Sequence, residues 1–171
     1  QAQAQSLSPN YSVTPRVGFV PVPASDADTL VVPPGYSANV LIAWGDPISD
    51  ASRYFRYDAS NSAEDQELQW GMHNDGMHFF PFNEPARFSV GGRATPSSRR
   101  GLLVSNHEYT DDGILHPDGL RTWTAEKVRK SQAAHGVSVI EVLFDGSNWR
   151  VQRPSNYARR ITAYTPMSVS G

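Results

Sequence analysis

The chain has 171 residues, with 13 Gly, 13 Pro, 39% hydrophobic residues and a mean hydropathy of −0.47, which suits one core built from short strands and turns better than long packed helices. A formal net charge of −2 leaves no clustered basic footprint for nucleic acid, so Arg99-Arg100 and Arg159-Arg160 read as solvated strand-edge or turn charges. No run approaches the roughly 18 apolar residues of a membrane span, and the absence of cysteine excludes disulfides, thiolate zinc sites and a cysteine nucleophile from these residues.

In chain order, Gln1-Ala2-Gln3-Ala4-Gln5-Ser6 matches what remains after cleavage at an Ala-x-Ala site, which predicts the mature end of an exported protein. Residues 1–32 carry Pro9, Pro15, Pro21 and Pro23, each fixing φ and removing a donor, and predict an extended arm. Val17, Phe19, Val20, Leu30, Val31 and Val32 predict that the arm lies along a body. After the turn Pro33-Pro34-Gly35, the β-branched and aromatic residues from Tyr36 to Trp44 predict a first strand, closed by Gly45-Asp46-Pro47. Residues 46–69 are polar and predict a long loop with one helical turn.

Met77 to Phe82 and Arg100 to Ser105 predict the next two strands, separated by the turn-rich segment 91–98. A helix is predicted from Trp123 to Ala134, with Thr122 or Thr124 as N-cap and Gly136 as its stop. Val137 to Phe144 and Asn148 to Gln152 flank Asp145-Gly146, a hairpin signal in which both turn residues take positive φ. No repeat recurs at a fixed period. The chain stops at Ser168-Val169-Ser170-Gly171 without a termination signal or a final element, which predicts a part of a longer protein.

Two segments concentrate chemistry: Gly71 to Pro81 and Gly101 to Tyr109. In extended structure residues two apart share a face, so His73 and Asp75 point one way while Asn74 takes a turn and Gly76 supplies positive φ. The plain alternative is that Asn74-Asp75-Gly76 is a tight turn feeding the Phe79-Phe80 strand. In the second segment Asn106 and Glu108 fall on one face and His107 on the other. A carboxylate with a carboxamide oxygen is hard-cation chemistry, suited to calcium or magnesium, and Glu108 is equally an iron ligand. The competing reading pairs Glu108 with a surface arginine and makes His107 a satisfied core histidine. Asp111, Asp112 and Asp118 lack the spacing of an EF-hand loop and read as an ordinary polar loop. Neither a Gly-x-Ser-x-Gly elbow, a Walker loop, a His-Glu-x-x-His motif nor a Gly-x-Gly-x-x-Gly motif occurs, which leaves metal-assisted chemistry or simple binding.

An ordered series of motifs is more specific. Pro34-Gly35-Tyr36 with Trp44-Gly45-Asp46-Pro47, the His73 to Pro81 segment, Val104-Ser105-Asn106-His107-Glu108-Tyr109, Ala134-His135-Gly136-Val137-Ser138-Val139, and Arg159-Arg160-Ile161-Thr162 ending in Thr165-Pro166-Met167 together resemble the N-terminal part of the PhoX-type bacterial alkaline phosphatases. The resemblance runs from about residue 17 to the end. It implies a calcium-dependent, iron-containing phosphomonoesterase (Ca2+ and Fe3+), exported by the twin-arginine route to the periplasm or beyond, on a β-propeller with embellishments. In such enzymes iron and calcium hold phosphate oxygens and neutralise charge in the transition state.

Family members are several times longer, and their cysteine iron ligand and other acidic ligands lie downstream of the region resembled. The expected architecture is therefore mainly β: the first blades of a propeller over residues 33–171, an N-terminal arm and one short helix. Blades of about 40–45 residues would give about three. The expected metal ligands are Glu108, Asn106 and Asp75, with His73 and His107 on the substrate side or supporting the ligands. The expected partners are a phosphate monoester and the rest of the same polypeptide, without which the chain is inactive. The reading from another class is a stand-alone β-rich module that binds calcium or a phosphorylated ligand without chemistry.

Overall fold

The computed structural model describes residues 18–84 and 94–170 and divides the chain into two units, Gln1–Asn39 and Val40–Gly171. In the first unit the described residues form neither helix nor strand, as the prolines require. The Pro33 carbonyl accepts from the Tyr36 amide at 3.0 Å to close the turn, and Phe19 meets Tyr36 edge-on with ring centroids 5.8 Å apart. Val20 and Leu30 are 66% and 77% exposed, so these two side chains do not supply the burial the sequence suggested. Val17 and the residues before it lie outside the described residues.

The second unit holds α1 (Ala63–Gln66), β1 (Asn74–Glu84), β2 (Thr95–His107), α2 (Asp112–Leu115), α3 (Ala125–Ala134), β3 (Gly136–Phe144), β4 (Trp149–Val151) and β5 (Arg159–Ile161). All pairings in the sheet are antiparallel. The order is β1-β2-β3-β4, and β5 also pairs with β3. β4 takes Val142 to Phe144 and β5 takes Val137 to Val139. The mainly β expectation holds. Among the described residues there is one open five-stranded sheet instead of about three blades, and no closed propeller is formed.

The strand expected over Tyr36 to Trp44 is absent. β-propensity expresses how a side chain fits a pleated, partnered surface, and this segment finds no strand partner among the described residues. Its backbone goes into local turns instead: the Asp46 amide donates to the Ala43 carbonyl at 3.0 Å, and the Ala43 amide donates to Asp46 Oδ2 at 2.8 Å. The expected helical turn in the long loop is α1, closed by a capping box in which Ser62 and Asp65 bond each other's backbone amides. α3 starts where Thr124 accepts from the Lys127 amide at 3.2 Å and ends before Gly136, at φ 113°.

The hairpin between β3 and β4 is present with a different turn. Phe144 pairs with Trp149, so four residues form the loop, and of the expected pair only Gly146 takes positive φ, at 109°. Asp145 acts through its side chain: its carboxylate accepts from the amides of Ser147 and Asn148, both at 2.9 Å. Those bonds, with the Arg150 guanidinium, hold the Asp145 carboxyl well below the usual carboxylate range.

β3 is the centre of the unit, buried from Ser138 to Val142. One cluster packs Ile140 and Val142 with Ile48 and Trp70, and a second packs Met72 with Leu115 and Ala134. Of the two arginine pairs, Arg99, Arg100 and Arg159 are exposed as the sequence predicts, whereas Arg160 is drawn inward. Arg100 Nη2 lies 2.6 Å from buried Glu141, which also accepts from Ser155 Oγ at 2.6 Å. Arg160 donates to the carbonyls of Gln69, Ala133 and His135 at 2.5, 2.9 and 2.7 Å. Burial pulls Arg160 down to about 10, with Glu67 opposing the shift, so it stays charged at neutral pH.

Candidate metal and phosphate site

The site segments meet where β1 begins and β2 ends. Asn74 pairs with His107 and the next pair is Met77 with Ser105, so Asp75 and Gly76 together oppose Asn106. Two residues against one is a β-bulge, a device that re-aims side chains at the rims of sheets. A Cβ on Gly76 would lie 3.4 Å from Asn106 Nδ2. The expected positive φ is not at Gly76 but at His73, with φ 45°, and Asn74 is in the strand rather than a turn. The His73 carbonyl accepts from the Glu108 amide at 3.0 Å, and the His73 ring stacks on Tyr109 with centroids 3.8 Å apart and planes 15° apart. The bulge therefore brings His73, Asp75, Asn106, Glu108 and Tyr109 to one exposed end of the β1–β2 pair.

Alternation along β2 is as the sequence predicts: Asn106 and Glu108 are exposed and His107 is buried. His107 Nδ1 lies 3.1 Å from the Met72 carbonyl and Nε2 lies 2.7 Å from Ser138 Oγ. A carbonyl only accepts, so Nδ1 carries the proton, and Nε2 accepts from the Ser138 hydroxyl. Trp70 meets the ring edge-on at 5.1 Å and donates from Nε1 to Asn74 Oδ1 at 2.9 Å. Gly71 presses its backbone against the His107 ring so closely that a Cβ there would overlap it. His107 thus forms the floor beneath the bulge.

Burial, reinforced by the charge of Arg160 and opposed by the bond to Met72, pushes the His107 imidazole down to about 4. In the unfolded chain a histidine takes up its proton near its ordinary value of about 6.5. Between those values the unfolded state binds the extra proton, so stability is complete above about pH 6.5 and falls as the pH drops toward 4. The loss is of the order of 2–3 kcal/mol. Urea unfolding should give a lower midpoint at pH 5 than at pH 7, and His107→Gln should flatten that dependence. A midpoint constant from pH 7 to 5 would contradict the buried neutral imidazole.

The oxygens of Asp75, Asn106 and Glu108 are exposed, and no side chain among the described residues occupies them. Among the described residues Glu108 pairs with no arginine. Two carboxylates and a carboxamide suit the donor chemistry of a hard cation, although no group of three or more His, Asp or Glu side chains among the described residues is gathered tightly enough to hold an ion alone. Three clefts lie elsewhere: one of about 430 Å³ is lined by Pro47, Ser49, Tyr54 and Arg153, one of about 380 Å³ by Leu41, Tyr54, Trp149 and Arg153, and one of about 270 Å³ by Asn61, His116 and Lys130.

Tyr109 is the site residue that the sequence does not announce, because an aromatic at a strand end looks like core. Lys130 is equally silent in the sequence. Its Nζ is buried and donates to the carbonyls of Ala59 and Leu115 at 2.6 and 2.7 Å. Burial lowers it to about 8, with Glu126, Asp65 and Asp58 opposing. Asp111 and Asp118, expected in a plain loop, respectively cap α2 through the Gly113 amide at 3.0 Å and pair with Lys127 at 2.5 Å.

The family model described as alkaline phosphatase PhoX matches residues 17–171. The chain belongs to the PhoX alkaline phosphatase family. A solved structure described as Pseudomonas fluorescens PhoX in complex with vanadate, a transition state analogue, is 39% identical, with a TM-score of 0.73. The match covers 85% of this chain and 23% of that one. No curated protein sequence matches. Among the described residues no helix is long and apolar enough to cross a membrane. The bulge, with its exposed oxygen donors, is thus part of a PhoX-family sheet.

Proposed function

We propose that the chain is the N-terminal portion of an exported phosphomonoesterase that hydrolyses phosphate monoesters at an iron and calcium centre, and that the longer polypeptide completes a propeller around it. The observation that carries this reading is the bulge, which leaves Asp75, Asn106 and Glu108 exposed and, among the described residues, uncommitted, in a chain 39% identical to a PhoX bound to a transition state analogue. Glu108 is the principal oxygen donor, with Asn106 and Asp75 as weaker ones. When bound, the cations supply Lewis acidity toward phosphate oxygens and offset the charge that builds as phosphorus is transferred.

This chain's own residues divide the remaining work. The bulge points the donors outward, and the Glu108 amide bond to His73 fixes the strand ends relative to each other. His73 lies on the substrate side. His107, with both nitrogens used internally, supports the Met72-His73 backbone from below. The ligands supplied from elsewhere in the polypeptide set the full metal complement.

Activity should follow the longer polypeptide. p-Nitrophenyl phosphate should be hydrolysed by the longest natural polypeptide containing these residues and not detectably by these 171 residues, and a calcium chelator should stop turnover. Robust turnover by the 171 residues alone, surviving a chelator, would overturn both the shared site and the metal assignment.

A further inference from the structure

The exposed end of the bulge holds one arrangement that the oxygen donors do not explain. His73 adopts φ 45°, a left-handed backbone that a histidine keeps only where its surroundings fix it. The surroundings here are the Glu108 amide on its carbonyl, at 3.0 Å, and the Tyr109 ring flat against its imidazole, at 3.8 Å and 15°. His107, His116 and His135 each spend ring nitrogens on protein groups. Among the described residues both nitrogens of His73 remain free, and so does the Tyr109 hydroxyl.

An exposed imidazole alone samples several rotamers, whereas a stacked partner biases it toward one by roughly 3- to 10-fold. Tyr109 directly follows Glu108, whose amide holds His73. The same stretch of backbone therefore presents the carboxylate, anchors the histidine and supplies the ring that orients it. We propose that Tyr109 is a positioning residue: it holds the His73 imidazole flat at the rim so that a ring N–H donates to a phosphate oxygen of an ester bound beside Asp75, Asn106 and Glu108. The role rests on the chain's being part of a phosphatase. A donor oriented in advance contributes to binding substrate and transition state alike, so its loss falls on KM more than on kcat.

The test uses the longest natural polypeptide that contains these residues, with isotope-labelled histidine. Histidine ring-proton NMR shifts, p-nitrophenyl phosphate kinetics and inhibition by inorganic phosphate are measured for the parent, Tyr109→Leu, Tyr109→Phe, His73→Ala and the His73→Ala/Tyr109→Leu double variant. Tyr109 is 52% exposed, and Tyr109→Gln replaces the leucine variant if that one aggregates. In the parent, the His73 ring protons should be displaced upfield by the phenol ring current. Tyr109→Leu should abolish that displacement and raise KM and the phosphate inhibition constant about 3- to 10-fold, with kcat within about twofold. Tyr109→Phe, which keeps the flat ring, should restore both, and the double variant should be no worse than His73→Ala. Unshifted His73 protons in the parent, an unmoved KM once the shift is lost, or additive losses in the double variant would each overturn the proposal. A shifted His73 in a parent without phosphatase activity would leave the stack standing and overturn the functional reading, and this role with it.

Discussion

Glu108→Ala in the longest natural polypeptide containing these residues should lower kcat/KM for p-nitrophenyl phosphate by at least about 100-fold and reduce bound metal. Losing even a group that orients a metal ligand commonly costs 10- to 100-fold, and a carboxylate ligand removes charge and geometry together. Glu108 makes no hydrogen bond or ion pair through its side chain among the described residues and lies in solvent, so its removal leaves no buried partner stranded. The folded state should therefore keep its stability within about 0.5 kcal/mol of the parent. Asn106→Ala and Asp75→Ala should follow in the same direction with smaller losses. Full activity and unchanged metal content in Glu108→Ala would remove Glu108 from the site.

Arg160→Met should destabilise the fold far more than any change at the exposed rim. The guanidinium bonds the carbonyls of Gln69, Ala133 and His135, joining β5, the end of α3 and the segment that leads into Trp70. Methionine keeps an apolar stem but strands three carbonyls. Breaking a buried charged network from one side costs about 3–5 kcal/mol. Arg160→Lys should recover only part, because an ammonium on a flexible stem cannot reproduce a planar fork that reaches three acceptors. Urea unfolding measures both. A midpoint for Arg160→Met equal to the parent's would show that the clamp contributes nothing.

The elements that local chemistry specifies were legible in the sequence. Thr124 announced α3, alternating apolar residues announced β1 and β2, and Asp145-Gly146 announced the β3–β4 hairpin. What failed depended on partners distant in sequence. Tyr36 to Trp44 has strand composition but, among the described residues, no strand to pair with. Arg159–Ile161 is three residues long, too short to show a period, and Arg160 is drawn inward because carbonyls of Gln69 and of the end of α3 converge on it.

At the site, alternation placed Asn106 and Glu108 outward and His107 inward. The positive φ was assigned to Gly76 because glycine tolerates it most cheaply, whereas the Glu108 amide and the Tyr109 ring fix it at His73. Bulge and stack both require knowing that residues 73–77 face residues 105–109. That register comes from β1 pairing with β2 and is not written in either segment alone.

Supply of oxygen ligands to a phosphatase centre by this end of the β1–β2 pair is tested most directly by a crystal structure of the longest natural polypeptide containing these residues, with anomalous difference maps recorded to locate calcium and iron. The expected result is a metal peak within about 2.0–2.6 Å of a Glu108 carboxylate oxygen, with Asn106 or Asp75 beside it. Peaks confined to other parts of the molecule, with Glu108 facing solvent, would contradict it.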